Sequence, residues 1–493
     1  MQANSSESPA GGDNGRTPEI KMGSRANEYK IEGNKLFREH KYEGAIDMYS
    51  KAIELDEKNA VYWANRAFCH VHMENFGLAI ADAKKGIQVD PSYPKSYYRM
   101  GSAHAGLGHF KLAMQDFKRV LAIRKTDTQA KKRFKECQKA WREQQFFKAI
   151  QSENSKPVSE TIKIDDIDVP KDYTGPHLPA SGPDKKFLEE LTKHLTDQKD
   201  LHRKYAYEIL LKIIELFKSL PSLVDVPIPE GKKLTVCGDV HGQYYDVLNI
   251  FKLNGWPSEE NPYLFNGDFV DRGSFAIQVI LTFFTLKLMY PKHFHMTRGN
   301  HETITMNRIY GFEGEVLHKY DQKCFQLFTE AFNLLPLACV VENQALVVHG
   351  GLFTKDGVTL NDIRKINRNR QPPESGLMCE VMWSDPQPFP GRAPSKRGVG
   401  LSFGPDVTKK FLEENKLKML IRSHEVKQEG YEVMHEGQCI TVFSAPNYFD
   451  QMGNKAAFIT LTHDMVPKFT QYEAVPHPNV RPMAFARRGF GMM

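Results

Sequence analysis

The 493-residue chain has no apolar run long enough to cross a bilayer as a helix. Its longest, Val279 to Tyr290, is broken by Lys287 and falls short of the about 20 residues a span requires, so it reads as a core helix. The N-terminus lacks the charged start and apolar stretch of a signal peptide. Cysteine is sparse: seven residues, an odd number with no Cys-x-x-Cys, which points to reduced thiols and to a cytoplasmic and nuclear protein. Charge of one sign is also missing, since 66 basic and 60 acidic residues leave a net +6, and no nucleic-acid partner is needed to explain it. No Cys has an Arg at the spacing of a cysteine-based phosphoryl site; the nearest pair, Cys137 and Arg142, is one residue short. Nor does any Gly-rich loop end in Gly-Lys-Ser/Thr, which removes the cradle for nucleotide-driven transfer. At 41% hydrophobic, the chain can still bury the cores of two or three domains.

What is present is a set of short apolar runs with polar residues at their ends. Leu234–Cys237 runs into Gly-Asp239-Val-His241-Gly, Tyr263–Phe265 into Asn-Gly-Asp268-Phe-Val-Asp271-Arg272-Gly, and Phe294–Thr297 into Arg-Gly-Asn300-His301-Glu. Leu346–Val348 ends in His349-Gly-Gly, Leu417–Ile421 in Arg-Ser-His424, and Ile440–Phe443 in Ser-Ala-Pro-Asn-Tyr448. Runs of this kind bounded by Gly, Pro and Asn predict buried strands, and polar groups where several strands stop predict a site. Carboxylate, amide and imidazole together suit manganese, iron or zinc rather than magnesium or calcium. Asp239 and His241, two apart on extended backbone, can reach one ion. Asp268 can bridge to a second ion held by Asn300, His349 and His424. Two such ions lower the pKa of a bound water and clamp an in-line displacement. A lone Asp-x-His is usually only a turn; the glycines beside most of these six residues permit the close backbone approach a crowded metal floor needs.

These segments, GDVHG, GDFVDRG, RGNHE, HGG, RSHE and SAPNY in this order, closely resemble the metal-dependent phosphoprotein phosphatase family, over about Lys185 to Pro482. The resemblance implies a protein-serine/threonine phosphatase with a central β-sandwich flanked by helices and two divalent metal ions per chain, with manganese expected in vitro. It gives Asp239, His241 and Asp268 to the first ion and Asp268, Asn300, His349 and His424 to the second. It implies His301 as general acid positioned by Asp271, and substrate contacts from Arg272, Asn300, His301, Arg397, His424 and Tyr448. The reaction it implies is direct attack of metal-bound hydroxide on phosphoserine and phosphothreonine, without a phosphoenzyme. Purple acid phosphatases place a ligand Tyr shortly after the bridging Asp, and Asp268-Phe-Val-Asp271 has none. Two alternatives stand beside this reading, an inert scaffold and a metallohydrolase of small phosphodiesters. One departure is Phe449, where most relatives carry Cys after SAPNY.

The first third is a different module. Ala45, Ala79 and Ala113 are 34 residues apart, as are Tyr42, Phe76 and Phe110, and Gly33, Ala67 and Gly101. That period is the tetratricopeptide signature of stacked helical hairpins. The expected organisation is multidomain: residues 1–26 disordered, 27–150 three all-α repeats with a capping helix carrying Phe134, Cys137, Trp141 and Phe147, 151–183 a linker that joins rather than packs, 184–480 the α/β metallophosphatase domain, and 481–493 a tail. Lys30, Asn34, Asn65, Lys95 and Arg99 share one helical face. They resemble the carboxylate clamp of chaperone-binding tetratricopeptide domains, which implies capture of acidic C-terminal peptides of Hsp90- or Hsp70-type chaperones. Met100 stands where relatives often have a second Arg. The resemblance further implies a monomer that the repeats autoinhibit, with Glu74 as candidate partner for Arg272 and a fatty-acid or peptide activator. The tail Ala486-Arg487-Arg488-Gly489-Phe490 departs from the more helical tail of relatives.

Overall fold

The structure, a computed structural model, describes residues 18–152 and 156–486, with side chains over 25–146 and 156–486. Phe147 as a side chain, and the tail from Arg487 onward, lie outside the described residues, as does the start of the N-terminal segment. The chain divides into two compact units, one ending at Gln138 and the other beginning at Lys139.

In the first unit, helices α1 (Pro18–Arg38), α2 (Tyr42–Leu55), α3 (Ala60–His72), α4 (Phe76–Val89), α5 (Pro94–Gly106) and α6 (Phe110–Ile123) follow one another through short turns, and α7 (Thr128–Ser152) begins there and runs past Gln138 into the second. The period of 34 is visible in the packing. Tyr42, Phe76 and Phe110 open the second helix of each pair, and Ala45, Ala79 and Ala113 are buried where the two helices meet. A Cβ on Gly33 would lie 2.8 Å from the Tyr49 ring, which explains the small residue at that place. His40, Glu74 and Gly108, again 34 apart, take positive φ at the turn inside each pair. Helix α1 starts at Pro18, inside the stretch 1–26 whose composition suggests disorder; proline's fixed φ suits a first helical position.

The second unit is an α/β sandwich. Its strands are β1 (Leu223–Val226), β2 (Leu234–Cys237), β3 (Tyr263–Phe265), β4 (Phe294–Met296), β5 (Ala338–Val341), β6 (Ala345–Val348), β7 (Asp385–Pro386), β8 (Arg392–Pro394), β9 (Leu401–Phe403), β10 (Met419–Arg422), β11 (Tyr431–Met434), β12 (Cys439–Val442), β13 (Ala456–Leu461) and β14 (Lys468–Tyr472). One sheet runs β1-β5-β6-β10-β12-β11, the other β14-β13-β2-β3-β4, and β7-β9-β8 form a small third. Alternation along the strands separates three cores. Val236, Leu264, Val347, Ile421, Val442 and Ile459 meet between the two large sheets. Cys237, Phe265 and Phe458 face a helical layer with Phe217 and Phe283, while Leu346, Leu420 and Cys439 face another with Met382 and Phe411. The helix Ala276–Met289 is buried along most of its length, and Lys287 is accommodated by donating to the Pro291 carbonyl at 2.6 Å.

The segment before this domain packs instead of merely joining. Ile167 and Leu178 are buried in the helical core, and the amides of Val158 and Ser159 donate to Glu330 at 2.5 and 3.2 Å. Apolar residues spaced irregularly, rather than at a helix or strand period, conceal this from the sequence. All seven cysteines are buried and unpaired. No helix among the described residues is long and apolar enough to cross a membrane.

Candidate active site

Three adjacent parallel strands in each large sheet end at the same edge: β2, β3 and β4 in one, β6, β10 and β12 in the other. An Asp239–Phe443 bridge links the two sheets there. The loops after five of these strands carry the six ligand-type residues, all buried. Five site residues, His241, Asp268, Asp271, Arg272 and His424, adopt positive φ between 39° and 70°. Such conformations are uncommon outside Gly and concentrate at functional sites. Gly267 is needed because a Cβ would lie 2.6 Å from the Gly299 nitrogen and 2.7 Å from His349 Nδ1.

The donor set converges. Asp268 Oδ2 is 3.5 Å from His241 Nε2 and 3.3 Å from His349 Nε2. His349 Nε2 is also 2.9 Å from Asn300 Oδ1 and 3.2 Å from His424 Nδ1, and Asp239 Oδ2 is 3.7 Å from His241 Nε2. Asp268 can share an ion with His349 and His424 on one side and with His241 and His301 on the other. The rings are oriented from behind: His349 Nδ1 faces the Asn266 carbonyl at 2.9 Å and His241 Nδ1 the Val270 carbonyl at 3.1 Å. These contacts put the proton on Nδ1 and turn the Nε2 lone pairs inward. Burial holds the imidazoles of His241, His349 and His424 below their ordinary range, hence neutral. It pushes the Asp239 carboxyl up to about 7 and that of Asp268 to about 8. Buried carboxylates facing the inward nitrogens of His241, His349 and His424 fit divalent cations, which would relieve the carboxylate penalty.

Around this centre sit groups suited to a phosphate ester. His301 Nδ1 lies 2.9 Å from Asp271 Oδ2, and Asp271 is fixed in turn by the Phe312 amide at 2.9 Å and Asn307 Nδ2 at 3.1 Å. Burial opposes charge on the His301 ring, and the Arg272 guanidinium adds to this. A phosphate dianion arriving beside both would raise the ring's proton affinity. Arg397 donates from Nε to Asp385 and from Nη2 to the His424 carbonyl, each at 2.7 Å. Tyr448 stacks on His241 with centroids 5.2 Å apart.

Residues 232–428 match the calcineurin-like phosphoesterase family, 94–127 a tetratricopeptide repeat, and 134–225 the PPP5 TPR repeat region. Serine/threonine-protein phosphatase 5 of Homo sapiens is 53% identical over 464 residues, 94% of this chain and 93% of that protein. The chain belongs to the serine/threonine-protein phosphatase 5 family. Another phosphatase 5 relative, serine/threonine-protein phosphatase T of Trypanosoma brucei brucei, is 51% identical over 95% of this chain and 98% of its own. A solved Saccharomyces cerevisiae phosphatase with similarity to human phosphatase PP5 aligns with a TM-score of 0.58 and 42% identity, covering 60% of this chain and 99% of that one.

The helical unit carries its five candidate residues on the first helix of each pair. Lys30 and Asn34 lie on α1, Asn65 on α3, and Lys95 and Arg99 on α5. Tyr49 Oη and Asn65 Nδ2 both donate to Asn34 Oδ1, at 2.7 and 3.3 Å, which leaves the Asn34 amide nitrogen to donate to a ligand. The Arg99 guanidinium lies 3.4 Å from the Phe68 ring centroid.

Several supporting residues carry no separate signal in the sequence. Glu302 accepts from the amides of Asp268, Phe269 and Gly299, each at 2.8 Å, and ties two ligand loops together. Asn266 donates to the Val348 carbonyl at 2.7 Å and to Ser423 Oγ at 2.9 Å, bridging the sheets. Asp385 holds Arg397 on one oxygen and the fully buried Arg422 on the other. Glu302 and Asn266 lie inside motif segments, whereas Asp385 has no neighbouring motif.

Proposed function

We propose that this chain removes phosphate from phosphoserine and phosphothreonine of proteins at a dinuclear metal centre. The observation that carries the reading is the convergence, at one sandwich edge, of six ligand-type side chains with Arg272, Arg397 and the Asp271–His301 pair. Asp239, His241 and Asp268 would hold one ion, and Asp268, Asn300, His349 and His424 the other, with manganese, iron or zinc suiting this donor set. When bound, the ions supply an activated solvent nucleophile and offset charge on the phosphoryl group. Arg272 and Arg397 bind its oxygens through charge-assisted bonds. His301, oriented by Asp271, gives its proton to the departing seryl or threonyl oxygen. Tyr448, with Asn300 and His424, completes the substrate contacts.

The helical unit addresses the enzyme. Lys30, Asn34, Asn65, Lys95 and Arg99 form a clamp for a peptide's terminal carboxylate and acidic side chains, of the kind ending Hsp90-type chaperones. Peptide or fatty-acid binding at this unit relieves an inhibition it imposes on the monomer, in cytoplasm and nucleus.

The test is phosphate release from a phosphothreonine peptide beside hydrolysis of a small phosphodiester. Peptide turnover that is lost in Asp268→Asn and Asn300→Ala supports the reading; an inert peptide with a hydrolysed diester points to the diesterase, and no turnover of either to a scaffold.

A further inference from the structure

Six side chains close a ring around the candidate phosphate site. His241 stacks on Tyr448 at 5.2 Å, the Tyr448 and Phe449 rings meet at a tilt with centroids 4.1 Å apart, and the Arg272 guanidinium carbon lies 5.0 Å from the Phe449 centroid and 3.7 Å from that of Tyr310. Tyr310 then meets His301 at 5.1 Å, and His301 meets His241 at 4.8 Å. Phe449 is the member that joins Tyr448 to Arg272. It does so from a left-handed backbone, φ 60° and ψ 18°, flanked by Asn447 at φ 42° and Asp450 at φ 56°. An aromatic residue there is an outlier, held only when its surroundings over-determine it.

The Arg272 backbone is fixed as well. Its amide donates to the Tyr310 carbonyl at 3.1 Å and its carbonyl accepts from the Met483 amide at 2.8 Å. The Arg272 backbone is therefore set without Phe449, while its guanidinium lies against both the Tyr310 and the Phe449 rings. Phe449 is only partly buried and lines a cavity with Tyr448, Tyr245, Asp246, Phe275 and His477, so the ring is not buried filler whose removal would collapse a core.

We infer that Phe449 is a positioning residue for phosphate binding: its ring, with that of Tyr310, packs against Arg272 and holds the guanidinium ready for the phosphoryl oxygens. A planar guanidinium beside two aromatic rings is attracted by both, by an amount that rises as water is excluded. Cysteine at this position has no such face. The inference rests on the phosphatase reading proposed above.

The experiment is a double-mutant cycle in the full-length holoenzyme, read as kcat and KM on a phosphothreonine peptide and as the affinity for inorganic phosphate. Phe449→Leu keeps apolar bulk and removes the π face; Phe449→Tyr restores it. Expected are a KM and a phosphate dissociation constant raised about 3- to 30-fold in Phe449→Leu, with kcat changed less, and near-normal values in Phe449→Tyr. In an Arg272→Ala background, Phe449→Leu should change phosphate affinity no further, because the group it acts through is gone. Equal effects of Phe449→Leu in both backgrounds, unchanged phosphate affinity in Phe449→Leu, or failure of Phe449→Tyr to restore it would each overturn the inference. A parent enzyme that binds phosphate but leaves the phosphopeptide intact would instead overturn the phosphatase reading.

Discussion

In the proposed reaction Asp271 acts through one ring nitrogen of His301. With its two oxygens already taken by Phe312 N, Asn307 Nδ2 and His301 Nδ1, it cannot turn toward a metal ion without breaking a buried bond, and in that reaction it accepts from Nδ1–H and favours a second proton on Nε2, the one given up. Asp271→Asn should lower kcat on a phosphothreonine peptide about 100-fold. It should affect p-nitrophenyl phosphate far less, since that leaving group departs without a proton; equal losses on both substrates would remove His301 from the acid role. Asp246 makes a different residue-scale point. Burial pushes its carboxyl up to about 6, although it accepts from the Val475 amide at 2.9 Å and Gln243 Nε2 at 2.9 Å. A carboxyl raised in the fold costs nothing while protonated in both states, below the unfolded value. The penalty grows from there to about pH 6 and is complete above, at up to ~3 kcal/mol. Asp246→Asn should therefore raise the melting temperature at pH 8 and lose that advantage at pH 3.5. An advantage that grows on acidification would reverse the sign and refute the assignment.

At the scale of elements, the sequence revealed what repeats or alternates locally. The small residues at Ala45, Ala79 and Ala113 betrayed three helical pairs because a close helix contact tolerates nothing larger. The six runs ending in polar motifs announced strands β2, β3, β4, β6, β10 and β12, and with them every ligand-type residue. Strand pairing was not legible: β13 inserts beside β2 more than 200 positions away and β1 beside β5, partnerships set by long-range packing rather than by local pattern. The grip of Asp385 on Arg397, the left-handed backbone at Asp271 and Arg272, and the docking of Ile167 and Leu178 were hidden for the same reason. The last of these has a measurable consequence. A fragment beginning at residue 156 should be more stable than one beginning at 184, because the shorter one strips two buried apolar side chains, about 4 kcal/mol or on the order of 10 °C in melting temperature. Coincident melting of the two would mean that the segment rests on the domain without holding it.

At the scale of the whole molecule, the proposed reading separates two recognition chemistries by unit. The candidate clamp residues lie on α1, α3 and α5 of the first unit, and the candidate reacting groups lie at the sandwich edge of the second. If the first unit restrains the second, binding at the clamp and turnover at the metal centre are linked, and the linkage in binding must be reciprocal. A phosphopeptide or phosphate that favours the open form will tighten the clamp's hold on an acidic C-terminal peptide by the same factor by which that peptide tightens phosphate binding. The expected factor is about 5- to 150-fold, the usual range for such coupling. Fragment 156–493 should turn over faster than the full chain and ignore the acidic peptide, whereas the full chain should be activated by it. Lys95→Ala and Arg99→Ala should abolish this activation without changing the fragment-like rate reached when the restraint is absent. Equal rates for fragment and full chain, with or without peptide, would leave the helical unit as an address and remove it as a regulator.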